Sequence, residues 1–594
     1  MSLYMSILKT CILIVLITVY EYNLNGQNTE LEDLSKKSAI AIKFPVTQKY
    51  NAFGQPVKYI FSNDAEINFF YDNIGRLIRR VMPDDSEVTY NFDRNLLVTK
   101  IEGLRQTRYD YDDFGRLVKK TISQDNQVLL ETRTYDQNGN LLSISENNKN
   151  TVSFLYDRFG KKLLETGPKG TVKYLYDNFG RLMTREAEIS SAPQKFQTNY
   201  SYGSSNNQIY IISSPSGKFY FNWSKTTGKL HQIEYEYSNR NTYRLYAVKT
   251  SFDLKKKFFS KSFVMRGAKS MNIIEHQYNQ SNQLVNGNVF SLAWEYRYNQ
   301  YDQIISAVNN QGKNLDFGYD QSGNCVKYGN ENLTYNRMWQ INESGYEYDS
   351  WGNLIKSPGI EYEYDLKNRL ITVCKDDLTI SYTYDPMNQL LERTVTNPSG
   401  RKIQTDFLMS SMIEYARVSN GKAIYHTFPP NITDEIQKPI VPYLLASFSS
   451  DGENIYFISS FDESIVAAFK PTDNGTIGEK IHYTPYGEIL NSKDSGNLTY
   501  GFKMMLNIGE GLYFSKGRIY SPQLHSYLTP DRNPFLSKNP YTFEYNHPVG
   551  HKLKSANDEF DFEPMMYQKI GLEPPTFEEL ILNNKNEMKK LDIL

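Results

Sequence analysis

Cysteine is scarce in this chain of 594 residues, which contains only Cys11, Cys325 and Cys374. Three cysteines are too few to staple a small fold, so a disulfide-rich scaffold is excluded. Cys11 lies inside an apolar run near the N-terminus, which leaves Cys325 and Cys374 either as one disulfide or as two free buried thiols. The sequence does not decide between these alternatives, because a disulfide requires two Cα atoms within about 7 Å of each other.

An excess of charge of either sign is also lacking. The 66 Lys and Arg residues nearly balance the 67 Asp and Glu residues, which gives a formal net charge of −1. No segment concentrates basic side chains in the way that nucleic-acid-binding proteins do. The sequence therefore argues against nucleic acid as a partner.

Signatures of catalysis and metal binding are missing as well. The chain has neither a Gly-x-Ser-x-Gly nucleophile turn nor a Gly-x-x-x-x-Gly-Lys-Ser/Thr phosphate loop. Of the seven histidines, only His547 and His551 are close in sequence, and Pro548 between them disfavours the helix on which a zinc-protease pair lies. We predict no active site, no metal site and no cofactor.

The apolar run near the N-terminus, Cys11 to Tyr20, has ten residues, which is too short for a transmembrane helix of about 20 residues. Because it follows Lys9 and precedes a polar stretch ending near Gly26, it is typical of a secretory signal peptide over residues 1–26. A buried strand and an arbitrary start of an incomplete chain are the alternatives.

Secretion would agree with eight Asn-x-Ser/Thr sequons, which are acceptor sites for N-glycosylation. A chain this rich in Asn, Ser and Thr produces some sequons by chance. The candidate asparagines are Asn199, Asn222, Asn279, Asn332, Asn342, Asn431, Asn474 and Asn497.

A repeated Tyr-Asp motif is the main feature that is present. The first six copies follow one another at steps of 21, 19, 24, 21 and 20 residues. A near-constant period of this size indicates a repeat architecture. Copies begin at Tyr71, Phe92, Tyr111, Tyr135, Tyr156, Tyr176, Tyr319, Tyr348, Tyr364 and Tyr384.

Each copy combines a strand with the residues of a tight turn. The stretch before the tyrosine is rich in residues that favour strands. An Asp at the first turn position accepts from backbone amides two residues on, and a Gly three residues later takes a positive φ. Calcium loops also combine Asp, Asn and Gly, but no window here has the ligand spacing and terminal Glu of an EF-hand.

Because such a turn joins antiparallel strands, each repeat is predicted to be one hairpin, and the hairpins are predicted to pair edge to edge into a long sheet. The copies at Tyr364 and Tyr384 lack the glycine, so their turns are predicted to differ in detail. The predicted structural turn residues are Asp72, Gly75, Asp112, Gly115, Asp136, Gly139, Asp157, Gly160, Asp177, Gly180, Asp320, Gly323, Asp349 and Gly352.

Beyond the signal peptide, the sequence predicts a polar connector over 27–45, one β-shell over 46–548 and a linker-like tail over 549–594. Within the shell the turn motif is regular in 46–186 and 296–395 but is lost in 187–295. Residues 396–440 are predicted to be irregular, with a surface loop at Phe428–Asn431. In the tail, Thr576–Glu579 reads as a capping box that begins a helix over 577–591.

Two late segments resemble a known family. Ile455–Phe469 followed by Ile481–Ile489, and then residues 500–548, are similar to the Rhs-associated core that ends YD-repeat shells. The sequence Tyr483-Thr-Pro-Tyr-Gly-Glu-Ile489 and the tail after Pro548 most resemble the teneurins, which are animal cell-surface adhesion proteins. The resemblance covers about 500 residues.

This resemblance implies a mainly β fold, in which YD repeats spiral as an antiparallel β-shell. The expected shell is a large hollow barrel, closed or left incomplete, with the Rhs-associated core at 455–548 plugging one end. Bacterial Rhs shells commonly cleave themselves after the core, but Asp531 is followed here by Arg532 rather than proline, so self-cleavage is not expected.

The resemblance also implies a non-enzymatic extracellular module for cell–cell recognition and signalling, secreted or at the cell surface. Membrane attachment is expected only if a region N-terminal to this chain supplies the anchor. Expected partners are cell-surface ectodomains, either a latrophilin-type receptor or another teneurin, with a homodimer as a further expectation. An Rhs-type shell that encapsulates a toxin is the alternative function, and a secreted carbohydrate-binding repeat protein is a third.

Overall fold

The computed structural model describes residues 47–61, 64–203, 208–224, 230–239, 242–253, 258–265, 270–281, 283–430, 444–470, 478–491, 499–515, 517–531, 539–546 and 548–549. The predicted signal peptide, connector and C-terminal helix lie outside the described residues. Among the described residues, no helix is long and apolar enough to cross a membrane.

The first sheet is an antiparallel meander of 27 strands, in which each strand pairs with the next one along the chain. Its strands are β1 Thr47–Tyr50, β2 Pro56–Ile60, β3 Glu66–Tyr71, β4 Leu77–Val81, β5 Glu87–Asp93, β6 Leu96–Glu102, β7 Arg105–Tyr111, β8 Leu117–Gln124, β9 Gln127–Tyr135, β10 Leu141–Glu146, β11 Asn150–Tyr156, β12 Lys162–Gly167, β13 Gly170–Tyr176, β14 Leu182–Ile189, β15 Ala192–Tyr202, β16 Ile209–Ser214, β17 Gly217–Trp223, β18 Leu230–Asn239, β19 Thr242–Asp253, β20 Phe258–Met265, β21 Met271–Tyr278, β22 Leu284–Val289, β23 Leu292–Tyr298, β24 Ile304–Asn309, β25 Asn314–Tyr319, β26 Cys325–Tyr328 and β27 Glu331–Asn332.

The second sheet is a similar meander of 13 strands, and a third sheet of 4 strands follows it. The second sheet contains β28 Glu347–Tyr348, β29 Leu354–Ser357, β30 Ile360–Tyr364, β31 Leu370–Lys375, β32 Leu378–Tyr384, β33 Leu390–Thr396, β34 Lys402–Ser410, β35 Ile413–Ser419, β36 Lys422–Thr427, β37 Ala446–Ser449, β38 Asn454–Ser459, β39 Ile465–Phe469 and β40 Glu479–Lys480. The third contains β41 Leu506–Gly509, β42 Leu512–Ser515, β43 Arg518–Ser521 and β44 Ser526–Tyr527.

The predicted fold class is confirmed, since the described chain is almost entirely antiparallel β-structure. Its helical elements are two short 3-10 turns, Phe502–Met504 and Glu544–Asn546. In the described residues β1 does not pair with β27, and β28 does not pair with β40, so both large sheets are open.

Alternation of side chains along the strands explains why the first sheet has one covered face. In β7, Arg105, Thr107 and Tyr109 are buried, whereas Gln106 and Arg108 between them are exposed. Successive side chains of a strand point to opposite faces of the sheet, so this pattern buries one face and leaves the other in solvent.

The second sheet covers that buried face. Phe196 of β15 stacks on Tyr425 of β36 with 5.0 Å between ring centroids and 2° between ring planes. Further along, Phe263 of β20 contacts Phe469 of β39 edge to face at 5.2 Å. Because β14 also approaches β35, the main core lies between the two sheets, where residues from both form one continuous apolar cluster.

The first sheet continues through the described part of 187–295, where the repeated turn motif is lost, and the break between the two large sheets falls at 333–346. A prediction further along the chain was wrong. Residues 396–440 were predicted to be irregular, yet they contain β34, β35 and β36. The alternation signal is missing in β35 because both of its faces are buried from Ile413 to Val418.

A surface loop was predicted at Phe428–Asn431, and this prediction was wrong for Phe428. The Phe428 side chain is buried, and its carbonyl oxygen accepts from the guanidinium of Arg185 at 3.2 Å and from the hydroxyl of Tyr200 at 3.1 Å. The first sheet therefore binds this segment, and Asn431 after it lies outside the described residues.

The disulfide alternative for Cys325 and Cys374 was wrong, because both residues are free thiols. Cys325 lies on β26 of the first sheet, whereas Cys374 lies on β31 of the second sheet. The Cys325 thiol donates to the carbonyl oxygen of Lys327 at 3.3 Å, and burial raises its pKa to about 12. Each thiol therefore has its own surroundings on a different sheet.

Candidate interaction surface on one edge of the first sheet

The turn after β7 shows how the repeat motif closes a hairpin. The amide of Gly115 donates to the carbonyl oxygen of Asp112 at 2.9 Å, and the amide of Asp112 donates to that of Arg116 at 3.0 Å. The Asp112 carboxylate accepts from the amides of Phe114 and Arg116 and, at 2.7 Å, from the Arg116 guanidinium. Gly115 has φ +76°, which glycine adopts without steric cost. One side chain thus holds the whole turn.

All seven predicted Asp–Gly pairs lie in turns of this geometry. In each, the glycine amide donates to the aspartate carbonyl oxygen, and the glycine has a positive φ. The pairs are Asp72 with Gly75, Asp112 with Gly115, Asp136 with Gly139, Asp157 with Gly160, Asp177 with Gly180, Asp320 with Gly323, and Asp349 with Gly352.

The prediction that the turns without glycine differ was wrong. Asn368 and Asn388 stand at the glycine position with φ of +59° and +63°. Their amides donate to the carbonyl oxygens of Asp365 and Asp385, as the glycine amides do elsewhere. Asparagine enters the left-handed region more readily than most residues with a Cβ, so it can replace glycine here.

Asparagine also replaces the aspartate, which the sequence reasoning missed. The Asn309 side-chain oxygen accepts from the amides of Gln311 and Lys313, as an aspartate oxygen does in the other turns. An asparagine three residues before a glycine would have indicated the turns at Asn51, Asn309 and Asn397. It would not have indicated those at Asn299 and Asn336, where Asp302 and Trp339 take the positive φ. Turns of this kind begin at Asn51, Asn299, Asn309, Asn336 and Asn397.

The repeated tyrosines connect each hairpin to the one before it. The Tyr111 hydroxyl donates to the carbonyl oxygen of Leu97 at 2.9 Å, and the Tyr384 hydroxyl donates to that of Leu370 at 2.7 Å. Burial raises the pKa of Tyr111 and of Tyr384, so both hydroxyls keep their donor proton. We call this series the tyrosine ladder. Its members are Tyr71, Tyr111, Tyr135, Tyr176, Tyr202, Tyr298, Tyr335, Tyr364, Tyr384 and Tyr483.

Apolar side chains stand exposed at the tips of five turns in the first sheet. Each is the residue before the turn glycine, and the exposed fractions range from 61% for Ile74 to 84% for Phe114. These turns all connect an odd-numbered strand to the next strand, so they lie along the edge of the sheet that is formed by one set of strand ends. Successive members are two or four strand spacings apart, which is about 10 or 20 Å. We call them the turn-tip row, which consists of Phe53, Ile74, Phe114, Phe159 and Phe179.

Arginines accompany Phe114, Phe159 and Phe179 of the row. The guanidinium carbons of Arg116 and Arg181 lie 5.0 Å from the ring centroids of Phe114 and Phe179, and that of Arg158 lies 4.6 Å from the ring centroid of Phe159. Aromatic side chains and arginines are both enriched at protein interfaces. The row can therefore supply a set of anchors for a protein partner.

The equivalent turn tips of the second sheet are used differently. Lys367 has the same turn position as Phe114 but is buried, and its ammonium lies 2.7 Å from the Glu131 carboxylate and 2.9 Å from that of Glu146. The Trp351 ring lies under the Arg105 guanidinium at 4.0 Å. These tips attach the second sheet to the first.

The candidate glycosylation asparagines fall into different environments. Asn199, Asn332 and Asn342 are exposed. Asn222 is partly buried, with its amide donating to Glu234 at 2.9 Å, and Asn279 holds a turn through Gln283. Those outside the described residues are Asn431, Asn474 and Asn497. Within the described part of the chain, no group of three or more His, Cys, Asp or Glu residues is placed to hold a metal ion.

Comparison with known families gives one match by family model. The model described as Teneurin YD-shell matches residues 225–549, which is more than half of the chain.

Individual relatives include two teneurins and a bacterial protein. The chain is 24% identical over 283 residues to Teneurin-1 of Gallus gallus, a match that covers 43% of this chain and 10% of that protein. For Teneurin-3 of Danio rerio the identity is 25% over 282 residues, covering 44% and 10%. For the tRNA3(Ser)-specific nuclease WapA of Bacillus spizizenii it is 22% over 278 residues, covering 42% and 11%. The chain spans about a tenth of the length of these relatives.

Among solved structures, the chain is similar to a Photorhabdus luminescens Tc holotoxin pore that carries a mutation in TccC3. That match has 14% identity and a TM-score of 0.37, and it covers 85% of this chain and 35% of the other. For TcdB2-TccC3 the identity is 13% and the TM-score 0.33, with 85% and 36% covered.

Proposed function

Because the chain belongs to the teneurin YD-shell family, we propose that it is a non-enzymatic extracellular recognition module that binds the ectodomain of another cell-surface protein. The proposed partner is a latrophilin-type receptor or another teneurin, and binding to a second copy of this chain is included. The module acts in cell–cell adhesion and signalling. It is secreted or stands at the cell surface.

The turn-tip row is the observation that carries this proposal. Soluble proteins rarely expose an ordered series of large apolar side chains unless the series serves an interaction. Here the side chains are held on hairpins whose turns are closed by aspartate or asparagine side chains, so little ordering is required when a partner binds. Such rigid aromatic anchors suit a folded ectodomain.

A binding measurement with the secreted chain tests the proposal. The double variant Phe114→Asp/Phe179→Asp places two carboxylates in the row without touching the core. Leu104 and Val128 are also exposed, at 76% and 61%, but lie at the opposite edge, in or next to turns that connect even-numbered strands to the next strand. Leu104→Asp/Val128→Asp is therefore the matched control.

We expect the unmodified chain to bind cells that display a latrophilin-type receptor or a teneurin, and the Phe114/Phe179 variant to lose at least tenfold in affinity. The Leu104/Val128 control should bind normally. Equal losses in both variants, or no binding by the unmodified chain, would refute the assignment of the row as the docking surface.

The similarity to the nuclease WapA favours a second candidate, a shell that encloses a toxin. In such a shell the inner wall faces the cargo. In this chain, one face of β13, β14 and β15 is covered by the second sheet rather than open. The coding sequence on either side of this chain separates the two candidates. A downstream nuclease or deaminase after an Asp-Pro site would support the toxin shell, whereas upstream propeller and EGF modules would support adhesion.

A further inference from the structure

A cavity of about 330 Å³ lies between the late strands of the first sheet and the segments that resemble the Rhs-associated core. One wall comes from β21, β22 and β23, and the other from residues 460–466 and 481–484. Its volume and mainly apolar lining are those of ligand pockets in other proteins. Both walls carry large aromatic rings, which include those of Tyr278, Trp294, Tyr296 and Tyr483.

Asp462 is the one charged side chain among the described residues that line the cavity. His276 and His482 also line it, but burial is the main cause of a lowered pKa in both imidazoles, to about 4 for His276, so neither supplies a positive charge at pH 7. The lining therefore has a net negative charge.

The Asp462 carboxylate lies close to the aromatic rings of the cavity. Burial is the main cause of the raised pKa of the lining tyrosines, and the negative charge of Asp462 is a further cause for three of them, Tyr278, Tyr296 and Tyr483. A carboxylate among ring faces is the combination that recognises an organic cation, because each ring face attracts positive charge and the carboxylate adds a counter-ion.

The protein uses only one oxygen of this carboxylate. Oδ1 of Asp462 accepts from the amide of Ser464 at 3.1 Å and from the hydroxyl of Ser460. Within the part of the chain that the structure describes, Oδ2 accepts no hydrogen bond, and it is not one of the fully buried polar atoms without a partner. An ionised carboxylate has acceptor sites on both oxygens. Oδ2 can therefore accept from a bound molecule.

Lys261 lies near this site but does not line the cavity. Its ammonium donates to the carbonyl oxygens of Ser459 at 2.6 Å and Ser460 at 3.2 Å, and it lies 4.9 Å from the ring centroid of Phe461. A molecule in the cavity contacts Asp462 and not Lys261. Because the interaction of two charges falls with distance, Lys261 weakens the attraction for a cation without reversing it.

We propose that this cavity binds an organic ammonium ion with an apolar body about as large as a phenylethyl group. The ammonium group donates to Oδ2 of Asp462, and the aromatic walls contact both the cation and its apolar body. A hydrogen bond between two charged groups is stronger than one between neutral groups, so the charge of the ligand decides the affinity. The proposal does not depend on the adhesion role.

Three probes of matched shape test the chemistry on the full chain by calorimetry at pH 7. They are 2-phenylethylammonium, 2-phenylethanol and 3-phenylpropionate, which carry a positive charge, no charge and a negative charge. We expect the ammonium ion to bind at least tenfold more tightly than the alcohol, and the carboxylate to bind more weakly than both. No binding by the ammonium ion, or equal binding by the alcohol or the carboxylate, would overturn the proposal.

Variants locate the binding. Asp462→Asn keeps the shape of the side chain and an oxygen for the Ser464 amide, and it should reduce the affinity for the ammonium ion to that of the alcohol. Glu463→Gln is the matched control, because it removes the next carboxylate of the same segment, which does not line the cavity. It should leave the affinity within about twofold, since a charge in contact with solvent is screened.

A third variant fills the space. A Cβ atom at Gly287 would lie 3.4 Å from Leu284 Cδ2 and 3.5 Å from Tyr296 Cε2, which is ordinary van der Waals contact, so the remaining atoms of Gly287→Leu should occupy the cavity and abolish binding. If that variant does not fold, Asp462→Asn still decides, because it changes the charge and not the volume. Unchanged affinity in Asp462→Asn, or an equal loss in Glu463→Gln, would mean that the ion binds elsewhere and that the proposal is wrong.

Discussion

The same turn occurs in the first and second sheets, but the side chain at its tip is exposed at Phe114 in the first sheet and buried at Lys367 in the second. In the first sheet the turn after Tyr111 presents Phe114 to solvent, and Arg116 forms its hydrogen bonds inside the same turn or to the next hairpin. In the second sheet the turn after Tyr364 has the same backbone, but Lys367 at the matching position is buried among carboxylates of the first sheet. The turn chemistry determines the local path of the chain, and the tertiary environment determines what the tip side chain does.

Ionisation shows the same contrast. Desolvation alone would raise the pKa of Asp112, but hydrogen bonds from the Arg116 amide and guanidinium outweigh it and lower the pKa. Asp385 occupies the same turn position in the second sheet, and there burial dominates and raises the pKa to about 6. A motif that is uniform in sequence is therefore not uniform in electrostatics.

Among the single substitutions that distinguish the turns of the two sheets, Lys367→Ala should have the largest effect on stability. It removes the ammonium between Glu131 and Glu146 and leaves two buried carboxylates with fewer partners. Loss of one member of a buried ion pair costs about 3–5 kcal/mol, and we expect the lower end because Arg133 and Arg369 remain.

Urea unfolding of both variants measures this difference. Phe114→Ala changes the same turn position in the first sheet and should alter the free energy of unfolding by less than about 0.5 kcal/mol. Similar losses in the two variants would mean that the two turn tips are equivalent in solution.

Asp385 should give the next largest effect, through pH. Because its pKa is raised from 3.8 to about 6, its stabilising contribution is present below pH 3.8 and is lost as the pH rises through 6. The loss is roughly 2–3 kcal/mol between pH 4 and 7. Asp385→Asn should remove this slope from the pH dependence of the free energy of unfolding.

Asp112→Asn provides the opposite case in the same titration. The pKa of Asp112 is lowered, so its contribution is present above the unfolded value and is lost on acidification. For Asp385, the free energies of unfolding of the unmodified chain and of Asp385→Asn should diverge across pH 4–7. If their difference stays constant over that range, the raised pKa of Asp385 is contradicted.

Turn residues with positive φ should give the smallest effects. Gly115→Ala places a Cβ at φ +76° and should cost about 1 kcal/mol, since the nearest side-chain atom, 3.9 Å away, adds no clash. Asn388→Gly, at φ +63° in the second sheet, should change stability by less than about 0.5 kcal/mol. Thermal unfolding of the two variants checks this, and a loss above 1 kcal/mol for Asn388→Gly would indicate that its side chain does more than hold the turn.

The regular alternation of strands and turns could be predicted because its causes are local. An Asp and a Gly three residues apart specify a hairpin, and the alternation before each tyrosine specifies which face is buried. Asn388 stands where the predicted turns have glycine, and this too has a local cause. It was not predicted, because the motif was taken to require glycine.

The packing of the two sheets and the acceptors of the tyrosine ladder could not be predicted, because they depend on contacts that no local sequence pattern indicates. Lys367 and Glu131 are 236 positions apart, and nothing near either residue indicates that they meet. The acceptors of the tyrosine ladder are backbone carbonyls, which every residue has. For the turn-tip row, the phenylalanines were visible in the sequence, but their exposure follows from how the second sheet is placed.

The hydrogen bonds of the tyrosine ladder all point from a later residue to an earlier one along the chain. Tyr111 reaches back to Leu97, Tyr176 to Lys162 and Tyr384 to Leu370, so each donor follows its acceptor along the chain. A ribosome releases the N-terminal part of a chain first. When a new tyrosine leaves the ribosome, the carbonyl that accepts its hydrogen bond has therefore already been synthesised, so each hairpin can be added in turn to the strand before it.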